Sequence, residues 1–152
     1  MTPTLTPDSA ENVKGIYALI ICLEKDITLE VGALGKTGFQ KGTYVYVGSA
    51  QTNLKQRVLR HLRKEKRLFW HIDYLLNNNE ARIEKVLYME GDKSAECALA
   101  KEIGARGEAA KGFGCSDCHC TSHLFLVKEC GFLLERMKPL ILKNESYPDS
   151  GF

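Results

Sequence analysis

Tyr44-Val-Tyr-Val-Gly-Ser-Ala-Gln-Thr-Asn-Leu-Lys-Gln-Arg57-Val-Leu-Arg-His61-Leu62 is the stretch that decides how the rest of the chain is read. Tyr44 and Tyr46 alternate with Val45 and Val47, a run of β-formers suited to a pleated ribbon. Gly48-Ser-Ala breaks that run, and either Thr52 or Asn53 offers a side-chain oxygen to cap a following helix. In this helix Leu54, Val58 and Leu62 recur at i, i+4 and i+8, a stripe able to pack on the strand just left. At about 100° per residue, Arg57, Arg60, His61 and Lys64 share the sector beside the stripe. Strand, glycine turn and basic helix bring tyrosines, a histidine and arginines to one spot, which suits a phosphate. A solvated basic face is the plainer alternative.

The charge distribution sharpens the first reading. The 152 residues carry a formal charge of only +2, yet Lys55 to Arg67 holds seven Lys or Arg and one acid, Glu65. A near-neutral body with one basic helix points to a local anionic contact, so Lys55, Arg60, Arg63, Lys64 and Arg67 are candidates for nucleic-acid binding. Met1 to Glu11 is Thr/Pro-rich without an apolar core, so no secretory signal is expected. No run approaches the ~20 apolar residues of a spanning helix. These features predict a cytoplasmic protein with no membrane partner, whose six cysteines are thiols or metal ligands rather than disulfides.

Working outward, Gly15 to Leu23 is a dense apolar run of strand length, and Ile27 to Val31 a second strand. With Thr43 to Val47 they predict an antiparallel meander, leaving Gly32 to Gly35 and Gly38 to Gly42 as loops. The basic helix is expected over Asn53 to Lys66, a second over Phe69 to Leu76, and a strand over Ile83 to Met89. Asp92 or Ser94 caps a helix from Ala95 to about Ile103, stopped by Gly104. Leu124 to Val127 reads as a strand and Phe132 to Leu142 as a helix interrupted near Pro139. The fold class is α+β: a small antiparallel three-stranded central sheet flanked by helices, with a C-terminal Cys-rich extension. One domain spans 13–143, with tails at 1–12 and 144–152. On the second helix, His71 and Asp73 point apart. Trp70 and Tyr74 either pack in the core or offer a stacking surface to a base.

Gly15-Ile16-Tyr17 followed by Tyr46-Val47-Gly48 resembles the paired motif of the GIY-YIG nuclease superfamily, in particular a little-characterised, largely archaeal branch. The order of later residues carries the resemblance further. Arg57 stands eleven residues after Tyr46, His61 one turn later, and Glu96 at the start of a helix after a further strand. The two tripeptides are 28 residues apart, longer than is usual there, so an extra hairpin around Ile27 to Gly42 must be accommodated. Ser49 stands where many members have Lys.

Hydrolysis of a phosphodiester needs a positioned water, an acceptor for its proton, and positive charge on the developing phosphorane. The resemblance implies that Glu96 holds one Mg²⁺ or Mn²⁺ and that Arg57 contacts the scissile phosphate. It implies further that Tyr17 and Tyr46 position or deprotonate the water with help from His61, and that the substrate is DNA, branched or damaged structures included. A tyrosine starts near pKa 10 and a histidine near 6.5, so the imidazole is the easier base, but the sequence does not choose between them. Cys115, Cys118, Cys120 and His123 form a second constellation. It reads as a tight zinc site, as a glycine-flanked turn with reduced thiols, or as a redox pair. A nucleic-acid-binding module without efficient cleavage and a zinc-stabilised interaction protein are therefore the alternatives to a nuclease.

Overall fold

The computed structural model describes residues 15–50, 53–63, 67–68, 70–110, 112–114 and 122–140. The two expected tails lie outside them. At the centre is β1 (Gly15–Leu23), paired antiparallel on one side with β4 (Gly42–Ala50) and on the other with β5 (Ala81–Glu90). Beyond β4 come β7 (Leu124–Val127) and the two-residue β6 (Glu108–Ala109); beyond β5 comes β8 (Lys138–Pro139). The sheet thus has six strands in the order β6-β7-β4-β1-β5-β8, each neighbouring pair antiparallel.

Among the described residues three helices cover it. On one face, α1 (Leu54–Leu62) and α2 (His71–Leu76) bring Leu54, Val58, Ile72 and Leu75 against Tyr17, Leu19, Ile21 and Leu23. On the other, α3 (Lys93–Gly104) brings Leu99, Ala100 and Ile103 against Ile16, Ala18 and Ile20. This two-sided cover explains why the first strand is continuously apolar rather than alternating: neither set of its side chains faces water. Each such fully buried Leu or Ile is worth about 1.5–3 kcal/mol.

Several expectations are corrected. The sheet has six strands, not three, because short pairings at both edges leave little periodic signal. Ile27–Val31 (β2) does not join the main sheet. It pairs with β3 (Gly35–Phe39), part of which was expected as loop, in a separate hairpin whose Val31 and Phe39 plug into the core. The extra hairpin between the two tripeptides is thus an excursion, and β1 and β4 pair directly from Gly15↔Ala50 to Leu23↔Gly42. The basic helix ends at Leu62, since Arg63 is extended (φ −77°, ψ 134°). Asn53 holds the N-cap position in the left-handed region (φ 59°), which Asn tolerates, and makes no side-chain capping bond. Over Phe132 to Leu140, the described part of the expected helix from Phe132 to Leu142, no α-helix forms. A 3-10 turn at Gly131–Glu135 leads into β8, where Pro139, lacking an N–H, takes an edge position opposite Leu87. Nor is the region after the cysteines an appendage, because β7 hydrogen-bonds to β4 within the sheet. Among the described residues no helix is long and apolar enough to cross a membrane.

Candidate functional site

The register of the two central strands sets the geometry. Tyr17 lies opposite Gly48, and a Cβ at Gly48 would run into the Tyr17 ring. The glycine is therefore a passage: the phenol crosses its neighbour strand and reaches α1, where its Oη lies 2.7 Å from His61 Nε2. Leu54 and Val58 seat α1 on the sheet, and His61, one turn after Arg57, is buried with them. The ring of His61 is also flanked by Tyr46 and Trp70, at centroid distances of 6.1 and 5.7 Å. Arg57 donates from Nη1 to the Ser49 carbonyl at 3.0 Å, and its guanidinium lies 4.7 Å from the Trp70 ring centre. Tyr17, Tyr46, Arg57 and His61 are thus brought together as the sequence order predicts.

Glu96 comes from the opposite face of the sheet. Asp92 caps α3, its Oδ1 accepting from Ser94 N at 3.1 Å and Ala95 N at 3.2 Å, which places Glu96 in the first turn. The carboxylate is 3 % exposed. Ser49 Oγ donates to Oε1 at 2.6 Å, Lys93 Nζ lies 3.2 Å from Oε1, and His123 Nδ1 lies 2.8 Å from Oε2. Ser49 therefore joins the two halves: its backbone carbonyl takes Arg57 and its side chain takes Glu96. Ser49 is thus a bridge, and the Lys93 ammonium approaches the same carboxylate from α3.

Charge and burial set the protonation states. Burial pushes the phenols of Tyr17 and Tyr46 well above the ordinary tyrosine value, and Arg57 offsets only part of this. Burial also pushes Tyr44, whose Oη donates to Gln40 O at 2.6 Å, up to about 12. For Glu96 burial works toward the acid form, but the His123 and Ser49 hydrogen bonds and the charges of His123 and Lys93 outweigh it. The carboxyl is held below its usual value. At neutral pH the site thus pairs neutral phenols with an ionised carboxylate.

An alkaline titration checks this. The contribution of these tyrosines to stability is intact below pH ~10 and is lost as pH climbs through their raised values. Followed by near-ultraviolet absorbance, Tyr17, Tyr44 and Tyr46 are expected to ionise only as the fold gives way. Six phenols rising together near pH ~10 in folded protein would contradict the burial argument.

The other expected residues divide. Arg63 and Arg67 are exposed and Lys55 half-buried, whereas Lys64 lies outside the described residues. Arg60 is turned inward, with Nη1 and Nη2 on the two oxygens of Asp73 at 2.8 and 2.9 Å and Nη2 also on Arg67 O at 3.0 Å. Asp73 in turn accepts from Trp70 N at 2.9 Å, closing the start of α2. This pair escaped the sequence reading, which judged Asp73 only against its neighbour His71. His71 itself accepts from Gly114 N at 2.9 Å through Nδ1. Arg60 and Arg57 both stack on Trp70, so that ring packs within the protein.

Cys115, Cys118 and Cys120 lie outside the described residues, and the fourth member of that set, His123, directs Nδ1 to Glu96. Among the described residues no group of three or more His, Cys, Asp or Glu is placed to hold a metal. Glu96, whose carboxyl is held below its usual value, is the oxygen donor that could take a hard cation such as Mg²⁺, which keeps several waters and binds through one or two carboxylates plus substrate phosphates.

An α+β protein with an antiparallel sheet covered on both faces, and a tyrosine–histidine–arginine cluster at its central strands, is the class these observations define. The chain belongs to the family described as Domain of unknown function DUF123, whose model matches residues 16–144. No curated protein and no solved structure matches it.

Proposed function

We propose that this protein is a GIY-YIG-type endonuclease that hydrolyses phosphodiester bonds in DNA, branched or damaged DNA included, with one Mg²⁺ or Mn²⁺ per site, and that it works in the cytoplasm. The observation that carries the reading is the 2.7 Å contact between Tyr17 Oη and His61 Nε2 beside Arg57. A buried phenol with a raised pKa is a poor base alone, but one bonded to an imidazole is a relay. As a water oxygen bonds to phosphorus and the P–O bond to the leaving oxygen breaks, the water proton passes to Tyr17 Oη. The phenol's own proton moves to His61 Nε2. Arg57 offers its guanidinium to the phosphate, where charge accumulates. Glu96 would hold the cation, which would supply positive charge against that on the leaving oxygen. Tyr46 packs edge-on against His61 and holds the ring in line. Arg63 and Arg67 line the approach as phosphate contacts.

The test is nicking of supercoiled plasmid and of four-way and abasic duplexes with Mg²⁺ or Mn²⁺. Activity should vanish on chelation. Tyr17→Phe should lower it about 10²-fold, the scale of general acid–base catalysis, without altering the metal requirement. Full activity in that variant would remove the relay from the mechanism.

One observation favours a second reading, a nucleic-acid-binding module that has lost efficient cleavage. Glu96 is almost fully buried and already held by three protein donors. Under that reading the protein binds DNA with a steep salt dependence and cleaves none of these substrates.

A further inference from the structure

We infer that His123 is a positioning residue for the Glu96 carboxylate, fixing the orientation in which it takes a divalent cation. The inference rests on the reading of Glu96 as the cation's ligand. Both partners of His123 Nδ1 are acceptors, Glu96 Oε2 at 2.8 Å and Val47 O at 3.2 Å, so Nδ1 carries a proton and donates. The residue is fastened by its own backbone as well: Val47 N donates to His123 O and His123 N to Phe113 O, both at 2.9 Å. With 1 % of its surface exposed, the ring acts through Glu96 and not on water or phosphate.

A carboxylate has about four lone-pair directions and turns freely unless its oxygens are engaged. Here the half-buried Ser49 holds Oε1 and the buried His123 holds Oε2, one donor on each oxygen, so the carboxylate plane is set. Lys93, whose side chain is 42 % exposed, is the third donor and the one a cation can displace without breaking a buried bond. Groups that orient a metal-binding carboxylate in this way are typically worth about 10–100-fold in metal affinity or activity.

The experiment measures Mn²⁺ binding to the purified protein by paramagnetic resonance of the free ion. The Mn²⁺ concentration for half-maximal nicking and the thermal midpoint are followed in parallel. His123→Leu should weaken Mn²⁺ binding about 10–100-fold and raise the half-maximal concentration equally. His123→Asn, whose amide N–H sits where the ring has Nδ1, should stay near the wild type. His123→Gln, whose N–H lies one bond farther out, should fall with the leucine variant. Should His123→Leu fail to fold, the asparagine–glutamine contrast decides. Equal Mn²⁺ binding by these two at equal thermal midpoints overturns the inference. Glu96→Gln binding Mn²⁺ as the wild type does would instead overturn the reading of Glu96 on which it rests, so the two failures are distinguishable.

Discussion

Glu96→Gln is expected to abolish metal-dependent nicking, by about 10³-fold or more, while leaving DNA affinity nearly intact. A divalent cation supplies several kcal/mol of transition-state charge stabilisation, and about 1.4 kcal/mol is a factor of ten. The amide keeps the shape of the acid. Its oxygen can still accept from His123, and its NH₂ can donate to Ser49 Oγ, since a hydroxyl accepts as readily as it donates. The fold should therefore survive, and only the anionic oxygen is removed. The acid limb of stability reports the same loss. Because the folded protein holds the Glu96 carboxyl below its ordinary value, its contribution is present above pH ~4.3 and lost as pH falls toward the depressed value. The variant should unfold in acid with a shallower pH dependence. Nicking within about tenfold of wild type would leave less than ~1.4 kcal/mol for Glu96 and would end the catalytic reading.

Arg60→Ala is expected to cost about 3–5 kcal/mol of stability, a large share of the 5–15 kcal/mol typical of a domain. The Asp73 side chain has no solvent exposure, and the substitution removes the two guanidinium donors on its oxygens. The carboxylate stays buried, with the Trp70 N–H still donating to it. The stack of the guanidinium on Trp70, 4.3 Å from the ring centre, goes as well, and Arg57 loses part of the wall it rests on. Arg63→Ala is the control, exposed and one turn away: within about 0.5 kcal/mol of wild type in stability, yet weaker on DNA. Denaturant unfolding of both variants decides. Were Arg60→Ala as stable as Arg63→Ala, the ion pair would carry no structural weight and Arg60 would return to the DNA-facing set.

These two residues show which parts of the site a single sequence discloses. The paired tripeptides, Arg57, His61 and Glu96 were legible through the order in which the resembling superfamily carries them, and they fall on the two central strands, one helical turn and a capped first turn. Asp92 was legible, with Ser94, as a candidate cap of that last helix. The Arg60–Asp73 pair was not. A helical projection says which residues share a face and nothing about which distant residue meets them. His123 stands in the sequence as the fourth member of the Cys115, Cys118 and Cys120 set, and spacing gives no sign of its contact with Glu96. Its contact is with a helix 27 residues earlier in the chain. The hairpin β2–β3 was visible as surplus length but not as a structure apart. The final helix was misread because Phe132, Met137 and Leu140 recur at spacings a helix also allows, with Pro139 the one local sign against it.

The described residues on either side of 115–121 are stitched together. Ala110 N donates to Leu124 O and His123 N to Phe113 O, while Gly114 N is pinned to His71. Gly114 needs its positive φ of 76° there, and a side chain would press on His123 and Tyr46. Through these bonds Gly114 and His123 are held in fixed relation, so that His71 on one helix and Glu96 on another are tied by one short path of backbone bonds.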